Sequence, residues 1–381
     1  MANKLFYRGK RKKLGLVYIP AYGLAIFLLL AFVIFYSFQK YIVYSQDGVS
    51  IKHPLVHEEG YKVEKDGTIQ FEPVDANLQI LESNYDSVKS VAGGKLPELK
   101  ALYVPMQYIS PESIEKFIEI MGMYDATGLL LEVKSPTGQL LWNSGSETAA
   151  AYATNGTYDL ADLVTKLHEK DIYVAALMNV NVDHLLAERS SLNALLTNGG
   201  AVFGNEMGLW VDPYSTVVRT YTLDLLHSLE SIGFDEVFLN NVRVPSTDGY
   251  LGYSVQLSFI PTPTNAACSF ALYIGRSMQN SKMHVSAILS PQTLHEEGGA
   301  EITGQNPQVF AKAFDRLCCE TDNAGQYNYD RDKFNTFFGA DSVGERYPSL
   351  MNYYPETASS WIVIVPQALL DQQFAVEEPA E

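Results

Sequence analysis

Carboxylates that fall near the C-terminal ends of β-like runs are the first residues in this 381-residue chain able to do chemistry. Glu132 lies near the end of GLLLEVK, Asp183 follows IYVAALMNVNV, and Glu320 and Asp322 follow DRLCC. Two carboxyl groups facing one bond, about 5–5.5 Å apart for retention or about 6.5–9.5 Å for inversion, are what glycoside hydrolysis generally needs. Each of these acids can equally be a solvated loop residue. A second group is neutral: Asn179, Asn181, Asn240 and Asn241, with Arg243 close behind. Amides both donate and accept hydrogen bonds, so such a set suits a polyhydroxylated ligand, but it also suits loop backbone that needs partners. Tyr250 with Tyr253, and Tyr347 with Tyr353 and Tyr354, could stack on sugar rings or simply pack.

Other chemistries find no support in the spacing. The seven histidines are scattered, with no His-Glu-x-x-His, and Cys268, Cys318 and Cys319 lack metal-ligand spacing and are too few for a disulfide framework. They read as small apolar core residues. The serines have no nucleophile-elbow context and no Gly-rich phosphate loop is present. No cofactor is expected and no metal.

From about Leu99 onward the chain alternates short β-rich runs with amphipathic helical runs. Seven strands are readable, in ALYVPM, GLLLEVK, IYVAALMNV, DEVFLNNV, HVSAIL, DRLCCE and WIVIV. Alternation of this kind predicts a parallel sheet covered on both faces, and its length fits a (β/α)8 TIM-like barrel. Between Glu320 and Ser360 the chain is short and polar for two ordinary units, so the barrel is expected to be incomplete or irregular there. Asp235 and Glu236 open the fourth strand, at the end opposite catalysis, and are expected to serve structure.

The string GFDEVFLNNVRVPS at 233–246, preceded by Trp210, Asp212, Pro213 and Tyr214, resembles a bacterial glycoside-hydrolase-like barrel family. In that family a tryptophan, an Asp-Pro-Tyr and a helix precede a strand reading roughly GFDEIQFDYVRFP. LLLEVKSPTG and IYVAALMNVNVD resemble the family's second and third strands, and HVSAILSP with EITGQNPQVFAKAFDRL its fifth and sixth, so the resemblance covers about 99–320. It implies a glycosidase-like barrel, with Lys134 retained and Trp210, Asn179, Asn181, Asn240, Asn241 and Arg243 around a saccharide site. The departures bear on activity. Asn240 and Asn241 stand where the family carries an acid before Tyr-Val-Arg, Ser135 and Pro136 replace two acids after the lysine, and Leu177 replaces an arginine. Three readings stay open: a saccharide binder with weakened or lost hydrolysis, an active glycosidase using Glu132 with Asp183 or Glu320, and a non-catalytic scaffold.

Charge and hydropathy frame these readings. Residues 16–38 carry no charged side chain, and about 20 apolar residues suffice to cross a hydrocarbon core of about 30 Å. Lys4, Arg8, Lys10, Arg11, Lys12 and Lys13 precede them with no acid, which predicts a cytoplasmic N-terminus (1–15) and a body on the far side. The apolar run is too long for a cleaved signal, whose core spans about 7–15 residues. Of 27 basic and 44 acidic residues, six basic and no acidic ones lie before residue 39, leaving 21 against 44 and a formal charge of −23 on the rest. Such a surface repels nucleic acid. A stalk over 39–96 with one β-hairpin around Asp66-Gly67, a barrel over 97–370 and an acidic disordered tail over 371–381 complete the expected order.

Overall fold

The computed structural model describes residues 96–247, 249, 251–253, 261–338, 346–353 and 358–374, with Leu29 and the backbone of four short strands between 42 and 71. The chain divides into two compact units, 1–85 and 86–381. In the first, Ile42–Ser45 pairs antiparallel with Gly48–Ile51, and Tyr61–Val63 with Ile69–Phe71. The second pair flanks the expected Asp66-Gly67 turn, and the first is a hairpin the sequence reading did not contain. Among the described residues no helix is long and apolar enough to cross a membrane. The expected anchor at 16–38 lies outside them, apart from Leu29.

The second unit is a closed barrel of eight parallel strands: β1 (Lys100–Val104), β2 (Gly128–Lys134), β3 (Tyr173–Asn179), β4 (Glu236–Asn240), β5 (His284–Leu289), β6 (Leu317–Thr321), β7 (Ser349–Met351) and β8 (Trp361–Ile364). Each strand neighbours the next in sequence, and β8 closes on β1 with Trp361 opposite Lys100. The expectation of an incomplete barrel is therefore corrected. β7 supplies the eighth strand with three residues, Ser349 facing Cys319 of β6 on one side and Trp361 of β8 on the other. The irregularity lies instead in the connection from β7 to β8, which has no helix among its described residues.

Helices α1 (Pro111–Tyr124), α2 (Leu160–His168), α3 (Thr216–Ile232), α4 (Pro263–Ser277), α5 (Pro307–Ala313), α6 (Ala324–Phe338) and α7 (Gln367–Phe374) follow the other strands. Their starts are written locally. Ser110, Thr262 and Asn306 accept first-turn N–H groups while Pro111, Pro263 and Pro307 occupy the first helical position, where no donor is needed. α3 ends on Gly233 at φ 103°, a left-handed cap that glycine adopts without cost. Its Val218, Tyr221, Leu225 and Leu229 form the buried face. α7 continues to Phe374, past the expected end of the barrel at 370, and Phe374 packs on Tyr108 at 4.9 Å between ring centroids.

The barrel interior is filled. Ala101, Leu130, Ala175, Leu177, Phe238, Ile288, Cys318 and Ile362 form one inner cluster, as side chains do in small parallel barrels. Below it, at the N-terminal end of the strands, lies a polar plug. Glu236 accepts hydrogen bonds from Ser286 Oγ and from Tyr173 Oη at 3.0 Å, and pairs with Arg316 Nε at 3.2 Å, both ions being fully buried. Arg316 also donates to the Pro97 carbonyl at 2.7 Å. Asp235 accepts from Val174 N at 2.8 Å and faces His168 at 2.9 Å. Both acids at the head of β4 thus serve structure.

Candidate ligand site at the barrel mouth

Strand alternation carries the inward face up to the C-terminal rim, where barrel sites are built. Two residues beyond the inner cluster, that face presents Tyr103 on β1, Glu132 on β2, Asn179 on β3, Asn240 on β4 and Glu320 on β6. Glu132 is half-buried, and its Oε2 accepts from Tyr103 Oη at 3.0 Å and from Met106 N at 3.2 Å. The sequence reading did not include Tyr103, whose place two residues after the inward Ala101 was the signal for it. Burial and the Glu132 charge together raise the Tyr103 hydroxyl far above its usual range. Glu320 is exposed, and its carboxyl is raised from the ordinary 4.5 by partial burial and then by the Asp322 charge.

The asparagines form one network. Asn240 Oδ1 accepts from Asn241 N at 2.8 Å, and Asn241 Nδ2 donates to Asn179 Oδ1 at 2.9 Å. Asn179 Nδ2 in turn donates to the Lys134 carbonyl at 3.1 Å, and Asn181 Nδ2 to the Arg243 carbonyl at 3.0 Å. Asn241 sits at φ 59°, a left-handed conformation that asparagine tolerates better than most side chains. Asn179, Asn181 and Asn241 are buried, so they hold the rim rather than face it, and Asn181 Oδ1 has no partner among the described residues. Asn240 is half-buried, and its Nδ2 is likewise free of protein partners there.

Three further expected site residues are buried away from the mouth. Lys134 Nζ pairs with Asp183 Oδ2 at 2.8 Å, with 2% and 1% of the two side chains exposed, and also donates to the Asn179 carbonyl at 2.8 Å. Asp183 Oδ1 accepts from Leu186 N at 2.9 Å, capping the short helix His184–Arg189. Both carboxylate oxygens are therefore occupied and closed to a substrate, which corrects the placing of Asp183 as an acid at the mouth and Lys134 as a ligand contact. A cavity of about one water's size adjoins the pair, lined also by Asn179, Tyr221 and Thr222. Gly138, at φ 91°, passes so close that a Cβ there would overlap Asp183 Oδ1.

Trp210 is the third. It is fully buried with Val182 and Leu195 in a small cluster, and its Nε1 donates to Asn205 Oδ1 at 2.9 Å. The long segment between β3 and α3 folds over this ring, with Leu195–Leu196 pairing to Gly252–Tyr253. The indole cannot stack on a sugar. Its face carries Arg243 instead, with the guanidinium carbon 5.1 Å from the ring centroid.

Among the tyrosines, Tyr347 is buried and stacked on Phe334 at 4.1 Å, Tyr253 meets Tyr214 edge-on at 5.2 Å, and Tyr353 is half-buried. Tyr250 and Tyr354 lie outside the described residues. The three cysteines are buried and unbridged. Cys319 comes within 4.8 Å of His295 and Asp330, outside the barrel. There His295 Nε2 faces Asp330 Oδ1 at 2.7 Å, Gln326 Nε2 faces His295 Nδ1 at 3.0 Å, and Tyr347 Oη donates to Asp330 Oδ2 at 3.2 Å. Gln326 Oε1 is already taken by Asp322 N, so hydrogen bonding satisfies the imidazole as a tie between α6 and the segment after β5.

Among solved structures the chain is similar to the PgaB (BpsB) glycoside hydrolase domain from Bordetella bronchiseptica, at 11% identity and a TM-score of 0.51, over 72% of this chain and 96% of that one. It is similar as well to a hypothetical protein from Ruminiclostridium thermocellum ATCC 27405, at 17% identity and a TM-score of 0.43, over 49% and 96%. At 11% identity the likeness to the Bordetella domain bears on the fold alone. No curated protein matches the chain in sequence. Residues 101–320, from β1 to β6 and more than half of the chain, match in sequence as well, and the chain belongs to the family described as "Putative glycosyl hydrolase domain".

Proposed function

We propose that the protein is a membrane-anchored, extracytoplasmic member of this family that binds cell-envelope or extracellular polysaccharide with weakened or lost hydrolysis. Asn240 carries the reading. It stands on the inward face at the end of β4, where the related strand has an acid, and its Oδ1 is held by Asn241 N while its Nδ2 has no partner among the described residues. An amide is nearly isosteric with a carboxylate but cannot serve as nucleophile or base at neutral pH, whereas it can bond sugar hydroxyls. The six cations before the apolar run 16–38 support the anchor and its direction. The test is Asn240→Asp in the full-length protein, with glycan binding and release of reducing ends measured for parent and variant. Binding without cleavage by the parent, and cleavage by the variant, are expected. Robust hydrolysis by the parent refutes the loss of activity.

A second reading, an active glycosidase, is favoured by Glu132 and Glu320 sharing the rim. They stand on β2 and β6, four strands apart in a ring of eight and so on opposite sides. Strands about 4.8 Å apart and tilted about 36° give a ring about 15 Å across, so two glutamates each reaching about 4 Å inward leave about 7 Å between carboxyls. That separation suits inversion. Loss of parental hydrolysis in both Glu132→Gln and Glu320→Gln would establish it over the first.

A further inference from the structure

We infer that Arg243 makes this mouth selective for saccharides that carry a carboxylate, such as a uronic acid, with the guanidinium as the partner of that anion. The inference rests on the saccharide-binding reading above and names the class of sugar.

Among the described residues no anion pairs with Arg243. Its Nε donates to the neutral amide of Asn241 at 3.3 Å, one Nη2 hydrogen meets the thioether of Met207 at 2.9 Å, and Trp210 lies under its plane. A guanidinium has five N–H bonds in a planar fork, and the rest have no acceptor among the described residues. It is half-buried, and burial alone accounts for its lowered pKa of about 10, with no carboxylate acting on it. It remains a cation at neutral pH all the same. Other ions nearby are already matched. Lys134 is spent on Asp183, and the Glu132 carboxylate is turned to Tyr103 and Met106 N. Glu320 and Asp322 belong to β6 and the turn after it, two strands round the ring from β4, and the exposed Glu206 beside Met207 makes no ion pair with Arg243.

A partly desolvated charge without a counter-ion is costly, and a ligand that brings one recovers that cost on binding. The guanidinium fork matches the two oxygens of a carboxylate, and the indole beneath keeps its plane fixed, so little ordering is lost when the pair forms. The acidic surface bears on how many charges the ligand carries. A net charge of −17 opposes a dense polyanion, but a sugar with one isolated carboxylate feels distant charges little beyond a screening length of about 8 Å.

The test uses the full-length protein in detergent micelles and calorimetric titration with trisaccharides of galacturonate, glucuronate and mannuronate, each as free acid and as methyl ester. The ester keeps every hydroxyl and removes only the charge. The parent should bind at least one acid about tenfold tighter than its ester, and Arg243→Gln should bring that ratio close to one, with Arg243→Lys between them. The ester comparison needs no variant, so it stands even if Arg243→Gln does not fold. Equal binding of acid and ester by the parent overturns this inference and leaves saccharide binding intact. Tighter binding of a sulfated trisaccharide than of any uronate overturns the carboxylate as the partner. Binding of neither acid, ester nor neutral oligosaccharide at millimolar concentration overturns this inference and the binding reading together.

Discussion

Asp183→Asn isolates one physical effect. The amide keeps the shape and the oxygen that caps Leu186 N, but it removes the anion that faces Lys134 at 2.8 Å, its one ion-pair partner among the described residues. The ammonium is then left with the Asn179 carbonyl and no counter-ion, while 2% exposed. Breaking a pair buried to this degree costs about 3–5 kcal/mol, because one charge stays in the interior uncompensated. At about 2 °C per kcal/mol for a domain of this size, the melting temperature falls by about 6–10 °C. Removing both charges is a different matter. Lys134→Met with Asp183→Asn leaves no ion to solvate, so the double variant should lie within about 1 kcal/mol of the parent, a strongly non-additive cycle. Guanidinium unfolding of the full-length protein, followed by tryptophan fluorescence and compared at equal m-values, measures all four corners. A loss below about 1 kcal/mol in Asp183→Asn, or a double variant equal to the sum of the singles, would refute the account of this pair as buried and mutually dependent.

The remaining expectations concern packing and titration. In Gly275→Ala the new Cβ on α4 would fall within 3.0 Å of three backbone atoms of Ala313, so the two helices must part, at about 1–3 kcal/mol by thermal melt; an unchanged melt would mean the helices are not so close. Glu320 should titrate above the ordinary 4.5 by carbon-detected NMR, and Asp322→Asn should move it down. The folded chain then holds this proton more firmly than the unfolded chain, so the group's stabilising effect is present below the unfolded pKa and is lost as pH rises through the folded one. Because the side chain is exposed, the effect on stability is small.

Much of the barrel is legible locally. Seven strands announce themselves as apolar runs of five to seven residues, or four for β8, and the cap-then-proline pairs Ser110-Pro111, Thr262-Pro263 and Asn306-Pro307 mark three helix starts. β7 does not. Three residues in a polar stretch carry no periodicity, and Ser349–Met351 is a strand only because β6 and β8 offer it hydrogen bonds on both sides. At the rim, alternation identifies Glu132 and Asn240 as inward, and would have identified Tyr103 from Ala101. It misleads at Lys134, because the ladder between β2 and β3 shifts register after Glu132, and the lysine turns toward Asp183.

The composition and order of residues determine a (β/α)8 barrel, a family, and an amide in place of an acid at position 240, since these depend on hydrophobic period, turn chemistry and residue identity along the chain. Which polar groups face a ligand is decided only in three dimensions. Asp183, Lys134 and Trp210 have the chemistry of a site and are drawn into the interior, where a charge must find an opposite charge and an indole must find packing. Arg243 has the same chemistry as many surface arginines and becomes distinctive only because folding sets it over Trp210 with no anion paired to it among the described residues. Side-chain identity specifies what a residue can do; the partners that leave it occupied or free come from segments far apart in sequence.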